Sequence, residues 1–72
     1  MQVQVRVLSS LISSKGGAME IADGSRGTDL LRVMGASATE GILMIVNGCR
    51  RETMCEIEDG DKIDLVTPVA GG

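Results

Sequence analysis

The last five residues, Pro68-Val69-Ala70-Gly71-Gly72, are the part of this chain best suited to chemistry. Glycine has no Cβ atom, so Gly71 and Gly72 make a thin segment that can adopt almost any backbone angle. Such a segment could pass through a narrow channel in a partner protein and deliver the carboxylate of Gly72 to a buried centre. Attack of that carboxylate on the α-phosphate of ATP gives an acyl-adenylate, which a sulfur or nitrogen nucleophile then displaces. The alternative is that the two glycines are a frayed chain end.

The remaining side chains offer little for catalysis. The chain has no histidine, which excludes most base-assisted nucleophilic triads and most zinc-hydrolase sites. We therefore expect a protein substrate rather than an enzyme, with no metal and no permanently bound cofactor, and with ATP consumed on a partner. Cys49 and Cys55 would lie about 20 Å apart in an extended strand, too far for a disulfide. They are interpreted as small apolar filler, with the handling of persulfide sulfur as the alternative.

Charged residues cluster in the second half of the chain. An acidic cluster could steer docking onto a basic groove or could simply be solvated, and it comprises Glu56, Glu58, Asp59, Asp61 and Asp64. The sequence Asp59-Gly60-Asp61 resembles a fragment of a calcium loop, but it lacks the other ligands and is better interpreted as a turn. Arg50 and Arg51 are expected on a solvated edge strand, where they would discourage aggregation, or in contact with a partner enzyme.

Composition places the chain among small globular domains. Its 72 residues are 43% apolar and 24% charged, with no aromatic residue, so the core must be built from Val, Ile, Leu and Met. The net charge of −3 disfavours binding to nucleic acid or to an anionic membrane. The longest apolar run, "ILMIV", is too short for a membrane span. We expect a cytoplasmic protein with free thiols.

Hydrophobic patterning predicts the elements of the first half. "MQVQVRVL" alternates, with Val3, Val5 and Val7 on one face, which indicates a half-buried strand. "SSLISSKGG" is predicted as a loop, and "AMEIA" as a short strand pairing with the first as a hairpin. Leu30, Leu31 and Met34 then fall at helical spacing.

The predicted helix has recognisable end signals. Ser25 or Thr28 is expected to cap its N-terminus, and Asp29 suits its first turn. Gly35 is expected to stop it, and Gly27 is a weak point inside it or just before it. Because the helix is short, its apolar face has to pack on a sheet.

The second half predicts three strands. "GILMIVNG" is predicted as a central strand covered on both faces, and Asn47-Gly48 as a hairpin turn into the edge strand "CRRETM". Asp59-Gly60 is predicted as a second turn before the alternating strand "KIDLVT", which Pro68 ends. Within the apolar run one alternating set should face the helix and the other should be available to a partner. The set assigned to docking is Ile42, Met44 and Val46.

The element order β-β-α-β-β-β predicts an α+β fold of the β-grasp (ubiquitin-like) type. One main helix would lie between two hairpins and pack across a mixed sheet of four or five strands. Residues 1–68 would form the domain and residues 69–72 a flexible tail.

The motifs "VNG", "EDGD" and the closing "PVAGG" resemble those of the ThiS/MoaD family of ubiquitin-like sulfur carriers. The resemblance is most specific over residues 43–72. It implies that Gly71 and Gly72 are the carrier dipeptide, that Gly72 is adenylated by an E1-like adenylyltransferase and converted to a thiocarboxylate, and that Pro68, Val69 and Ala70 lead into it.

The partners implied by this resemblance are a sulfurtransferase or cysteine desulfurase as sulfur donor, and thiazole synthase or the large subunit of molybdopterin synthase as acceptor. The short segment "ASATE" and the long first loop favour different pathways, so thiamin and molybdopterin biosynthesis both stay open. Two other functions stay open as well. One is a protein modifier conjugated through Gly72, and the other is a non-catalytic β-grasp module that binds a ligand or RNA, which the missing aromatic platform disfavours.

Overall fold

The computed structural model describes residues 1–36 and 41–68. These residues form an α+β fold with one short helix and a five-stranded mixed sheet. The order of elements along the chain is the predicted one, namely β1 (Gln2–Leu8), β2 (Gly16–Glu20), α1 (Gly27–Val33), β3 (Leu43–Val46), β4 (Cys49–Arg51) and β5 (Lys62–Val66).

The first two strands form the predicted antiparallel hairpin. In β1, Val3 and Val5 are buried and Val7 packs against the core, as the alternation indicates. β2 starts earlier than predicted because the glycines assigned to the loop belong to it. Gly16 has φ +82°, and a Cβ atom there would lie 2.5 Å from the carbonyl oxygen of Val5, so only glycine fits against β1 at this point.

The order of strands across the sheet is β2-β1-β5-β3-β4. β1 and β5 run parallel, and the other neighbours run antiparallel. The prediction that "GILMIVNG" forms a central strand is confirmed in that β3 pairs with β5 on one side and β4 on the other, but the prediction that it is covered on both faces was wrong. The middle strand is β5, while β3 buries Met44 on one face and leaves Leu43 and Ile45 half-buried on the other.

Both predicted turns of the second half are confirmed. Asn47 and Gly48 have φ of 52° and 85°, the left-handed pair that a two-residue hairpin needs, and they connect β3 to β4. β4 is the predicted edge strand but has only three residues. After it the backbone turns, since Cys55 N donates to Glu52 O at 3.0 Å. Asp59-Gly60 forms the second turn, with φ 85° at Gly60.

The helix begins at Gly27, and the N-cap residue is Arg26 rather than Ser25 or Thr28. The carboxylate of Asp29 accepts a hydrogen bond from Arg26 N at 2.9 Å, which satisfies the backbone at the start of the helix. Ser25 Oγ instead donates to Ala22 O at 2.6 Å. Gly35, with φ 75°, follows the last turn as predicted.

Gly27 marks a close approach between the helix and the segment after β4. A Cβ atom at this position would lie 2.6 Å from Thr53 O and 2.7 Å from Met44 Sδ. Gly27 N donates to Cys55 O, and Thr28 N donates to Thr53 O. Gly27 weakens the helical pattern of the sequence, but its lack of a side chain allows the first turn of the helix to pack against the segment after β4.

The core lies between the helix and one face of the sheet, and the loop residue Ile12 closes one end through a bridge to Ala36. Its buried members are Val3, Val5, Ile12, Ile21, Leu30, Leu31, Met34, Ile42, Met44, Ile57, Ile63 and Leu65. Within residues 1–36 and 41–68, no helix has the length and apolar character that crossing a membrane requires.

Candidate functional site

The C-terminal segment leaves the sheet at the end of β5. Thr67 N donates to Leu8 O at 3.4 Å, and the hydroxyl groups of Thr67 and Ser9 hydrogen-bond each other. These contacts hold Thr67 to the end of the neighbouring strand β1. Pro68 follows and is exposed. The predicted reactive residues Gly71 and Gly72, with Val69 and Ala70, lie outside the described residues.

An apolar row runs across the outer face of the sheet beside this exit point. Leu8 pairs with Val66, and Val66 pairs with Leu43, so the three side chains lie on one face of adjacent strands. Leu8 is 52% exposed, and Val66 and Leu43 are half-buried. This face is opposite to the helix because β1 buries its odd-numbered valines. We call Leu8, Val66 and Leu43 the apolar row.

A second cross-strand row lies next to the apolar row and is mostly charged. It runs from Arg6 through Asp64 and Ile45 to Arg50. Arg6 and Asp64 form a bidentate ion pair, in which Arg6 Nε donates to Asp64 Oδ1 at 3.2 Å and Arg6 Nη2 donates to Asp64 Oδ2 at 2.9 Å. Arg50 has no ion pair with any residue of the described ranges and is exposed. The outer face therefore combines the apolar row with positive charge that has no ion-pair partner among the described residues, at Arg50 and also at Lys62, which lies on the same face of β5 as Asp64.

The residues assigned to docking from the sequence do not form this surface. Ile42 and Met44 are 5% and 1% exposed and belong to the core, and Val46 packs against it. The assignment chose the wrong alternating set, and the other members of the run, Leu43 and Ile45, are the ones on the outer face. Leu8 and Val66 were missed. The alternation of β1 gave the signal for Leu8, since the valines on odd positions place Leu8 opposite the core.

The charged residues assigned to docking are dispersed. Arg50 and Arg51 are both exposed but lie on opposite faces of β4, because Arg51 pairs with Met44 and Arg50 with Ile45. Asp59 is exposed, and its Oδ1 accepts from Gln2 N at 2.7 Å.

Asp61 is 9% exposed, and its carboxylate hydrogen-bonds within the fold rather than facing a partner. Its Oδ1 accepts from Asn47 Nδ2 at 3.0 Å and its Oδ2 accepts from Glu58 N at 2.9 Å. The acidic residues thus do not make one surface.

The cysteines also differ from their sequence interpretation. Cys49 is exposed and Cys55 is half-buried, and neither is bonded to another cysteine. The interpretation of Cys49 as small apolar filler was wrong, because this residue is exposed on the edge strand β4. Among the described residues, no group of three or more acidic or cysteine side chains is placed to hold a metal ion.

No protein-family model matches the chain, and no curated protein matches it significantly. Its own residues are therefore the basis for assigning a function. What those residues offer is a surface beside a chain exit: an apolar row, an unpaired arginine at its margin, and an exposed proline from which the last four residues continue.

Proposed function

We propose that this chain is a sulfur carrier. In this proposal an E1-like adenylyltransferase activates the carboxylate of Gly72 with ATP, and a sulfurtransferase or cysteine desulfurase then supplies the sulfur of a thiocarboxylate. The observation that carries the proposal is the position of the C-terminal exit. The chain leaves the middle strand of the sheet at exposed Pro68, directly beside the apolar row.

The arrangement of elements supports a β-grasp fold for this carrier. Helix α1 lies in sequence between the β1–β2 hairpin and the β3–β4 hairpin, and its buried side chains share one core with the sheet. The parallel pair of β1 and β5 joins the two hairpins into one sheet. A carrier benefits from this topology because its reactive segment continues from a strand that is hydrogen-bonded on both sides.

The apolar row gives the partner enzyme a surface to bind. Burial of Leu8, Val66 and Leu43 against the adenylyltransferase would fix the position of Pro68, so that residues 69–72 start at the mouth of the enzyme's channel. Arg50, at the margin of the same face, would pair with an acidic residue of the partner. In this proposal the catalytic groups belong to the enzyme, and this chain contributes only the reacting carboxylate.

ATP–pyrophosphate exchange tests the activation step. The E1-like adenylyltransferase of the same organism is incubated with ATP, labelled pyrophosphate and either the wild-type chain or a chain lacking Gly72. We expect exchange with the wild type and none with the shortened chain. Lys15→Ala, in the exposed loop between β1 and β2, is the control and should support exchange normally. Equal exchange with the shortened chain would refute the proposal.

Intact mass spectrometry tests the fate of the adenylate. When the sulfur donor is added, we expect one oxygen atom of the C-terminal carboxylate to be replaced by sulfur. The mass of the chain should therefore increase by the difference between the atomic masses of sulfur and oxygen. Trypsin cuts this chain for the last time after Lys62, so lysines of other proteins that carry residues 63–72 as a branched remnant, without the thiocarboxylate, would instead identify a protein modifier. The sulfur acceptor, thiazole synthase or the molybdopterin synthase large subunit, is then found by testing which one consumes the thiocarboxylate.

A further inference from the structure

Cys49 and Cys55, the two cysteines of the chain, line the same cavity. This cavity has a volume of about 260 Å³ and lies between the base of the β3–β4 hairpin and the segment after β4. Cys49 is exposed, and Cys55 is half-buried. The cavity is independent of the apolar row, because Cys49 faces the opposite side of the sheet from Leu43.

The backbone brings the two thiols to one cavity by reversing direction between them. Cys49 pairs with Val46, so its side chain lies on the helix-facing side of the sheet at the start of β4. Extended structure ends at Arg51, and the hydrogen bond from Cys55 N to Glu52 O turns the chain. The separation of about 20 Å expected for an extended strand therefore does not apply.

The two sides of the cavity differ in how firmly they are held. Cys55 O accepts from Gly27 N at 3.2 Å, and Ile57 N donates to Ser25 O at 2.8 Å, which ties the Cys55 side to the start of the helix. Cys49 lies on β4, a three-residue strand that pairs only with β3 within the described residues. The edge strand is therefore the less firmly held side of the cavity.

We propose that Cys49 and Cys55 form a redox site that closes to an intramolecular disulfide when a peroxide oxidises the exposed thiol. The thiolate of Cys49 attacks the O–O bond of the peroxide, which forms an S–O bond and releases hydroxide or alkoxide. The sulfur of Cys55 then attacks the Cys49 sulfur, the S–O bond breaks, and the leaving hydroxide takes the thiol proton as water. The two thiols lose two electrons and the peroxide gains two.

The pairing of an accessible thiol with a less accessible one suits this sequence of steps. Redox-sensing cysteines are typically exposed and lie next to a second cysteine that resolves the sulfenic acid. A disulfide requires the two Cα atoms to lie within about 7 Å of each other, so closure draws on the freedom of β4, which pairs with β3 alone among the described residues. The closed loop contains Arg50 and Arg51, so oxidation alters how β4 presents these two charges.

Oxidation of dilute full-length protein by hydrogen peroxide, followed by alkylation with iodoacetamide, tests the site. We expect the wild-type monomer to lose both alkylatable thiols at a rate independent of protein concentration, and dithiothreitol to restore both. Trypsin cuts after Arg50 and Arg51, so the oxidised protein should yield residues 33–50 joined by a disulfide to residues 52–62. The reduced protein should yield the two peptides separately.

A matched control keeps two thiols but separates them. In the double variant C55S/S10C the second thiol moves to Ser10, an exposed turn residue after β1, at the end of the sheet away from the β3–β4 turn. This variant should form no intramolecular disulfide. The single variants C49S and C55S each keep one cysteine, so they should form only disulfide-linked dimers between two chains or sulfinic acid. The proposal is overturned if the wild type also gives only dimers or sulfinic acid under the same conditions.

Discussion

Asp61 illustrates how a single residue can have a role that its charge does not indicate. In the sequence it belongs to an acidic cluster that could serve docking. In the structure it is 9% exposed and accepts hydrogen bonds from the side chain of Asn47 and the backbone of Glu58. Asn47 Oδ1 in turn accepts from Lys62 N at 3.0 Å. Asp61 therefore ties the β3–β4 turn to the turn that precedes β5.

We expect Asp61→Ala to lower the free energy of unfolding by about 1–3 kcal/mol, because it removes the charged acceptor of two partly buried hydrogen bonds. Urea denaturation followed by circular dichroism measures the change. Glu58→Ala, at an exposed neighbour whose side chain has no hydrogen bond among the described residues, should stay within about 0.5 kcal/mol of the wild type. Similar losses in both variants would show that Asp61 has no special structural role.

Gly27→Ala should also destabilise the fold, although alanine is the better helix former. The added methyl group would lie 2.6 Å from Thr53 O and 2.7 Å from Met44 Sδ, and relief of this overlap should cost about 1–3 kcal/mol. The same denaturation experiment applies, with Thr28→Ala at the next, exposed helix position as the control. A more stable Gly27→Ala variant would mean that helix propensity outweighs the close approach.

At the scale of elements, β3 has two faces with different roles. Met44 points into the core beneath the helix, whereas Leu43 pairs with Val66 in the apolar row. An apolar run of this kind has no polar residue to indicate which face is outside. The pairing with β5 decides it, because Leu65 is buried and its partner Met44 must lie on the same face.

Substitutions at neighbouring positions of β3 should therefore separate stability from docking. Met44→Ala should lower the free energy of unfolding by about 2–5 kcal/mol, as truncation of a buried side chain does. Leu43→Thr should cost only about 1 kcal/mol, but should raise the apparent KM of the adenylyltransferase for this chain about tenfold, since one interface anchor contributes about 1–2 kcal/mol. Stability curves and pyrophosphate exchange give the two readouts. An unchanged KM for Leu43→Thr would remove the apolar row from the docking surface.

At the scale of the whole molecule, a chain without aromatic residues folds around a core of aliphatic side chains and methionine. The Cα radius of gyration is 11.1 Å, and about 11 Å is expected for a compact chain of this length. Within residues 1–36 and 41–68, the buried core runs from Val3 to Leu65.

A chain truncated to residues 1–68 should keep its unfolding midpoint, because it retains every core residue that the structure describes. The midpoints of thermal unfolding, followed by circular dichroism, should agree between the two chains within about 2 °C. This difference is smaller than the shift that a loss of about 1 kcal/mol in stability would cause. The same truncated chain should be inactive in pyrophosphate exchange. A large fall in the midpoint would show that residues 69–72 contribute to the fold.

The sequence alone determined the order of elements, the β1–β2 hairpin, the Asn47-Gly48 and Asp59-Gly60 turns, and the exit of the chain at Pro68. These features depend on local preferences: alternation in β1, left-handed backbone angles at the turns, and the missing N–H of proline. The tertiary structure decided that β5 is the middle strand, that Leu43 rather than Met44 faces outward, and that Asp61 is buried. It also placed Cys49 and Cys55 on one cavity. Each of these depends on strand register or on a chain reversal, which arise from contacts between residues distant in sequence.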